Sequence, residues 1–387
     1  MTNILSKITF KSKMAKVLAS AGVMMMLTAC PSPNNGPTAN LDAPIKIALL
    51  VPTGGSNAQI GMIGKSIEAA AKMAVAEHNN GDIELMVLPT GGNEAQAVAQ
   101  ANKARAAGAL LILGPLKSTE ALSVANAVSD IPIWTFSNNN EVDLPNTYLL
   151  GTSFDVIATR VAKYAKSQGV KSMGIIATDD IGGDQGMIAS RDAAVKSRMA
   201  VVYAAKYPLS QDGIKANAPG IAAALKASGA QSVMFTDTPN GGLGLMTNAL
   251  ADQGYTSASS QFLGLSRWDD RAEFLQEANL DKGYFAAPDP AKSRAFAERF
   301  NAKTGQETYN LAGLGYDGVA AVIELVKRAK SKGDTTPFGD NDIMRSGFDG
   351  VMGAFKFNDE HHADRALAVF QVNGSGAKIV SGAPGSM

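Results

Sequence analysis

The sequence predicts an α/β protein of two lobes, each a parallel sheet flanked by helices. Three observations carry that reading. Short apolar runs alternate with helix-like stretches, the pattern of parallel strands joined by crossover helices. The alternation restarts after residues 148–153, YLLGTS, giving two series in one chain. An apolar share of 45% with only 18% charged residues supports a packed core, and the 358 residues from Cys30 onward suit two domains of ordinary size.

Residues 45–51, IKIALLV, read as a buried strand. Residues 64–80 place Ile67, Ala70, Ala71, Ala74 and Val75 on one face of an alanine-rich helix. A second strand covers 83–89, and Asn93 with Gln96 makes a capping box for a helix that stops near Gly108. Strands at 109–113 and 131–136 follow, with a helix beginning near Ser118 between them. In the second series Ser153 caps a helix to about Gln168, 171–179 is a strand, and a helix covers roughly 184–197. AVVYAAKY, IAAALKASG, QSVMFTD, GLGLMTNALADQG and QFLGL continue as strand, helix, strand, helix, strand. The tail breaks the rhythm. Helices at about 290–304 and 310–330 come together, and VMGAFKF and ALAVFQV flank NDEHHADR as a hairpin.

The amino terminus is a separate unit. Residues 1–16 hold four lysines and no acid, and residues 17–29 are apolar or small. That run of 13 falls short of the roughly 20 residues that span a bilayer, so it reads as a secretory signal. Leu27-Thr28-Ala29-Cys30 resembles a bacterial lipobox, which implies cleavage before Cys30 and acylation of that residue, the chain's one cysteine. Several acyl chains then hold the protein on a membrane, at about 0.8 kcal/mol per buried CH₂. Residues 30–43 form a lipidated tether rich in Pro, Asn and Gly. Pro31, rather than Asp, follows the cysteine; by resemblance to other lipoproteins this implies outer-membrane sorting, facing the periplasm, in a Gram-negative host.

Composition and motifs exclude several classes. Without the leader lysines, 31 basic and 35 acidic residues remain, a net charge of −4 that argues against a nucleic-acid partner. GMIGKS lacks the first glycine of a P-loop, because Gln59 stands there. GGLGLM approximates a dinucleotide fingerprint but has Thr247 where the last glycine belongs, and GLSRW misses the nucleophile elbow at Trp268. Adjacent pairs such as Asp179-Asp180 and His361-His362 point apart and make poor metal or acid–base sites. No catalytic triad, metal site or cofactor site emerges, so the reading is a non-enzymatic protein.

In open parallel sheets, ligands bind outside the carboxyl ends of the strands. Those ends carry small, polar, Gly-rich loops: 52–61, 114–119 and 137–140 in the first series, and 178–186, 236–242 and 265–270 in the second. The ligand-binding candidates in them are Gly55, Ser56, Ser118, Thr119, Ser137, Asn138, Asn139, Asp180, Gly183, Thr238, Arg267 and Trp268. Ser118 and Thr119 sit at a helix start, where free N–H groups suit a carboxylate; equally, Ser118 can act as the cap of its own helix.

The order and spacing of IKIALLVPTGG, LILGPLKST, IPIWTFSNN and VMGAFKFNDEHHADRALAVFQVNG resemble the type I periplasmic binding proteins of the leucine/isoleucine/valine-binding branch over roughly 44–380. The resemblance implies two lobes, here 44–150 plus 285–348 and 151–284 plus 349–383, joined by three crossovers near 148–153, 283–288 and 345–352. It also implies ligand in the cleft, with carboxylate contacts at Ser118, Ser137, Asn138 and Asn139. The usual ammonium partners depart from the pattern. Gly182-Gly183 replaces an aromatic, and Leu265-Ser266-Arg267 stands where an acid is expected, leaving Asp180 or Asp237 as substitutes. Two functions follow as expectations. One is the substrate-binding component of an ABC transporter, which takes a small carboxylate-bearing ligand such as an amino acid and delivers it to the permease. The other is an outer-membrane lipoprotein activator of penicillin-binding proteins, which shares a leucine-binding-like domain.

Overall fold

The computed structural model describes residues 36–309 and 311–386; Cys30, the leader and most of the tether lie outside the described residues. The first sheet is built by β1 (Ile45–Val51), α1 (Ala58–His78), β2 (Ile83–Pro89), α2 (Glu94–Ala106), β3 (Leu111–Leu113), α3 (Ser118–Ala127), β4 (Ile133–Thr135) and β5 (Thr147–Leu149). All its pairings are parallel, in the order β2-β1-β3-β4-β5. Residues on β1 alternate between two cores. Ile47, Leu49 and Val51 face the side covered by α1, while Ala48 and Leu50 face the alanines of α2. That is why the strand is apolar throughout: both faces are covered.

The second series runs α4 (Phe154–Ser167), β6 (Ser172–Thr178), α5 (Ile181–Lys196), β7 (Ala200–Tyr207), α6 (Gln211–Ser228), β8 (Ser232–Phe235), α7 (Leu243–Asp252), β9 (Gln261–Gly264) and β10 (Tyr284–Ala287). It is followed by α8 (Pro290–Thr304), α9 (Ala312–Lys332), α10 (Asp340–Arg345), β11 (Gly347–Phe348), β12 (Phe355–Phe357), β13 (Ala363–Arg365), β14 (Ala368–Val372) and β15 (Ala377–Ser381). The second sheet has the order β15-β14-β10-β9-β8-β6-β7; β14 and β15 are antiparallel additions to a parallel core. Helices α4 and α5 cover one face, and α6 and α7 the other. Helix α9 returns to pack on α1 in the first lobe, joined there by α8.

The tail differs from the expected hairpin. Residues 355–357 pair with 363–365, in a small sheet with β11, and not with 368–372. Phe348, Phe355 and Phe357 join the first lobe's core, where Trp134 meets Phe348 and Phe357 edge-on. Residues 368–372 instead pair with β10 in the second sheet. The last passage of the chain between lobes therefore lies at 365–368, not near 345–352, and residues 349–365 pack with the first lobe. The aromatic triplet decides this, because it fills space beside Trp134. The expected capping box at Asn93 also forms only in part. Asn93 accepts from the Gln96 N–H at 3.0 Å, but the Gln96 amide reaches the carbonyl of Pro89.

Candidate functional site

Strand order sets where a crevice can form. In the first sheet the order reverses between β1 and β3, and in the second between β6 and β8, so the loops after these strands open outward at a switch point. A cavity of about 260 Å³ lies between the lobes, towards the chain passages that join them. The first lobe supplies Leu116, Phe136 and Asn138 from its strand-end loops and Leu311 and Leu314 from the start of α9. Ile157, Arg267, Asp270 and Ala286 come from the second lobe, and Gly151, Thr152, Pro288 and Leu367 from the passages. The wall is largely apolar, with few polar side chains.

Of the residues expected from sequence, the cavity gathers Asn138 and Arg267. Arg267 is not a bare cation. Asp269 holds it in a bidentate pair at 3.1 and 2.7 Å, and Asp270 lies 3.5 Å from its Nε. Burial works against the guanidinium charge, but the two carboxylates offset that and hold its pKa above the ordinary value. The guanidinium beside the cavity is thus already shared with two acids.

Trp268 does not line the cavity. Its side chain is fully buried in the second lobe's core against Phe274 and Phe285. Gly264 and Gly283 flank the indole so closely that a Cβ on either would sit within 2.5 Å of the ring. Arg267 and Trp268 are neighbours that reach different environments: Arg267 is the extended residue before a short 3-10 turn, and Trp268 opens that turn.

The other candidates do structural work or lie at the rim. Ser118 is the first residue of α3, whose cap is Lys117, and no side chain caps that helix. Thr119, Gly55, Ser56 and Thr238 are exposed, away from the cavity lining. Asp180 caps α5, accepting from the Gly183 N–H at 2.7 Å and the Thr178 hydroxyl at 3.0 Å. Gly183 is required by close approach, since a Cβ there would stand 1.9 Å from the Thr178 carbonyl oxygen. Asp237 is buried and accepts from the Tyr207 hydroxyl and the N–H groups of Thr238 and Gly242. Ser137 is buried, and its hydroxyl accepts from the Asn139 N–H at 3.1 Å.

Asn139 has a different role. Its Oδ1 accepts from Gln185 Nε2 at 2.7 Å, joining the loop after β4 to helix α5 across the cleft. Asn140 donates to Asp155 at 2.9 Å, a second bond between the lobes. Behind the cavity, Asp317 and Arg365 form a fully buried pair at 2.8 Å. Arg365 also donates to the carbonyls of Gly353 and Leu150, and Asp317 accepts from the N–H groups of Val351 and Met352. This network pins two of the passages to α9. Sequence reading missed it because its members are scattered over more than two hundred residues.

Comparison with known proteins agrees with this architecture. No curated protein sequence matches the chain. Among solved structures, the chain is similar to a putative branched-chain amino acid ABC transporter protein from Rhodospirillum rubrum, at 16% identity and a TM-score of 0.72, over 87% of this chain and all of that one. It is similar to a leucine binding protein from Thermotoga maritima, at 18% identity and a TM-score of 0.58, over 87% and 98% of the two chains. A solute binding protein from R. palustris, solved with benzoate, matches at 14% identity and a TM-score of 0.58 over 88% and 98%. At these identities the likenesses speak for the fold. A family model described as periplasmic binding protein matches residues 44–378, and with most of the chain inside that match, the protein belongs to the periplasmic binding protein family, in its two-lobed type I fold.

Proposed function

We propose that the protein is a lipid-anchored, extracytoplasmic substrate-binding component of an ABC transporter, taking an amino acid or related small carboxylate. The observation that carries this is the interlobe cavity: its walls come from both lobes and from the passages between them, so its shape depends on how the lobes stand to each other. A ligand held there favours the arrangement that forms the cavity, which is how binding becomes a signal to a permease. At about 260 Å³ the space lies below the usual range for drug-sized ligands and suits a molecule of amino-acid size with an apolar body. Solved relatives that bind leucine or benzoate bracket that class.

The test is a thermal-shift screen of amino acids and of aliphatic and aromatic carboxylates, followed by calorimetry, since a ligand that binds only the folded form raises Tm. Arg267→Ala should weaken a confirmed carboxylate about tenfold, or about 1.4 kcal/mol, a modest loss because Asp269 and Asp270 already share the guanidinium. Affinity unchanged in that variant would rule out the arginine contact. For the lipid anchor, Cys30→Ala should abolish palmitate labelling and membrane retention.

One observation favours a second reading, an outer-membrane activator of penicillin-binding proteins. Asp180, Asp237 and Trp268 are committed to packing and caps, so few polar groups remain for a solute. A screen without hits, together with capture of a purified penicillin-binding protein by the full chain, would favour it over transport.

A further inference from the structure

Helix α5 carries its aliphatic side chains on the wrong side for a monomer. Ile181, Ile188 and Val195 are 73%, 62% and 75% exposed, the three most exposed large apolar side chains among the described residues. They are spaced by seven, so two full turns bring each back to nearly the same direction, and they form one stripe along the helix. The face turned to the sheet is small instead: Gly183, Gly186, Ala189, Ser190, Ala193 and Ala194 are buried. An amphipathic helix on a protein surface normally puts polar residues where this one puts isoleucine. Helix α5 lies over β6 and β7, at the edge of the second sheet, and α4 packs on its inner side only.

We infer that this stripe is a docking surface for a second copy of the same chain, with the two α5 helices antiparallel about Ile188. The charges beside the stripe select that occupant. Asp184 and Arg191 lie on the same flank. An antiparallel pair centred on Ile188 sets Ile181 against Val195 of the copy and Asp184 beside Arg191 of the copy, within about one residue rise, twice over by symmetry. A parallel pair would set each flank against the opposite flank of the copy, so Asp184 and Arg191 would not meet. Asp184 already pairs with Lys206 of its own chain, and both are exposed enough to admit a further partner. A two-helix seam is small for a stable interface, so the dimer is weak in free solution.

The test is sedimentation velocity of the full chain in mild detergent, with less than one protein per micelle, over about 1–200 µM. The parent should pass from monomer to dimer over this range. Ile188→Glu should remain monomeric with an unchanged Tm, because the side chain is exposed. Asp184→Arg and Arg191→Asp should each remain monomeric alone, and their equimolar mixture should regain the dimer, since only the mixed pair satisfies both charge contacts. A parent that stays monomeric throughout overturns the proposal and assigns the stripe to an unlike partner. A dimer that survives Ile188→Glu, or a mixture that fails to recover it, also overturns it.

Discussion

Glu120 shows how a single residue carries a physical conflict. It lies in the first turn of α3, fully buried, with one carboxyl oxygen accepting from Thr90 at 2.9 Å and the other without a protein partner. Burial pushes its pKa up, against the Thr90 hydroxyl and the Lys117 charge, and nearby Glu94 adds to the rise. A folded pKa above the unfolded one means that this contribution to stability is fully present below about pH 4.3 and is lost as pH rises through the folded value. Glu120→Gln cannot ionise and keeps an oxygen for Thr90. Its stability relative to the parent should therefore rise as pH increases above about 4.3, where the parent's Glu120 begins to weaken the fold. Urea denaturation at a series of pH values measures this, and parallel pH profiles for the two proteins would sink the argument.

At the level of the element, α5 connects packing to the cleft. Its first turn is held by the Asp180 cap and by the approach of Gly183 to the end of β6. Because the obstructing atom is a backbone oxygen, no side-chain rotation makes room for a Cβ. Gly183→Ala should destabilise the fold by roughly 1–3 kcal/mol, the usual range for overpacking. It should also displace Gln185, two residues on. A loss under about 0.5 kcal/mol in denaturant titration would show that the strand end yields more readily than the geometry implies. The same helix shows the limit of periodicity as evidence. Alanine and glycine mark its buried face and isoleucine its exposed one, so a hydrophobicity plot alone would turn it the wrong way round.

At the level of the whole molecule, three contacts govern the lobes: Asn139 with Gln185, Asn140 with Asp155, and the Asp317–Arg365 network at the passages. The first is a neutral hydrogen bond at the cleft, worth about 0.5–1.5 kcal/mol, and breaking it should shift an open–closed equilibrium about two- to tenfold. Gln185→Ala should accordingly raise the radius of gyration of the ligand-free protein in small-angle scattering. Identical scattering curves would mean that the bond does not hold the lobes. The buried pair behaves differently, because removing one member strands the other's charge. Arg365→Ala should cost about 3–5 kcal/mol of folding stability, whereas Gln185→Ala should leave it nearly unchanged.

The sequence by itself determined the two strand–helix series and the parallel sheets, because apolar runs and caps act within a few residues. IKIALLV must be a strand covered on both sides, because it is apolar throughout. Tertiary structure decided the rest. Whether residues 355–357 pair with 363–365 or with 368–372 depended on Trp134, more than two hundred residues away, offering aromatic contact. Whether Arg267 or Trp268 faces the cavity depended on Gly264 and Gly283 leaving room for an indole. The cavity wall joins Leu116, Phe136, Leu314 and Leu367, ordinary core residues in any local reading, which share a surface only once the two lobes meet. Local chemistry sets an element and its caps; a site made between lobes is a property of their docking, and short-range pattern carries no record of it.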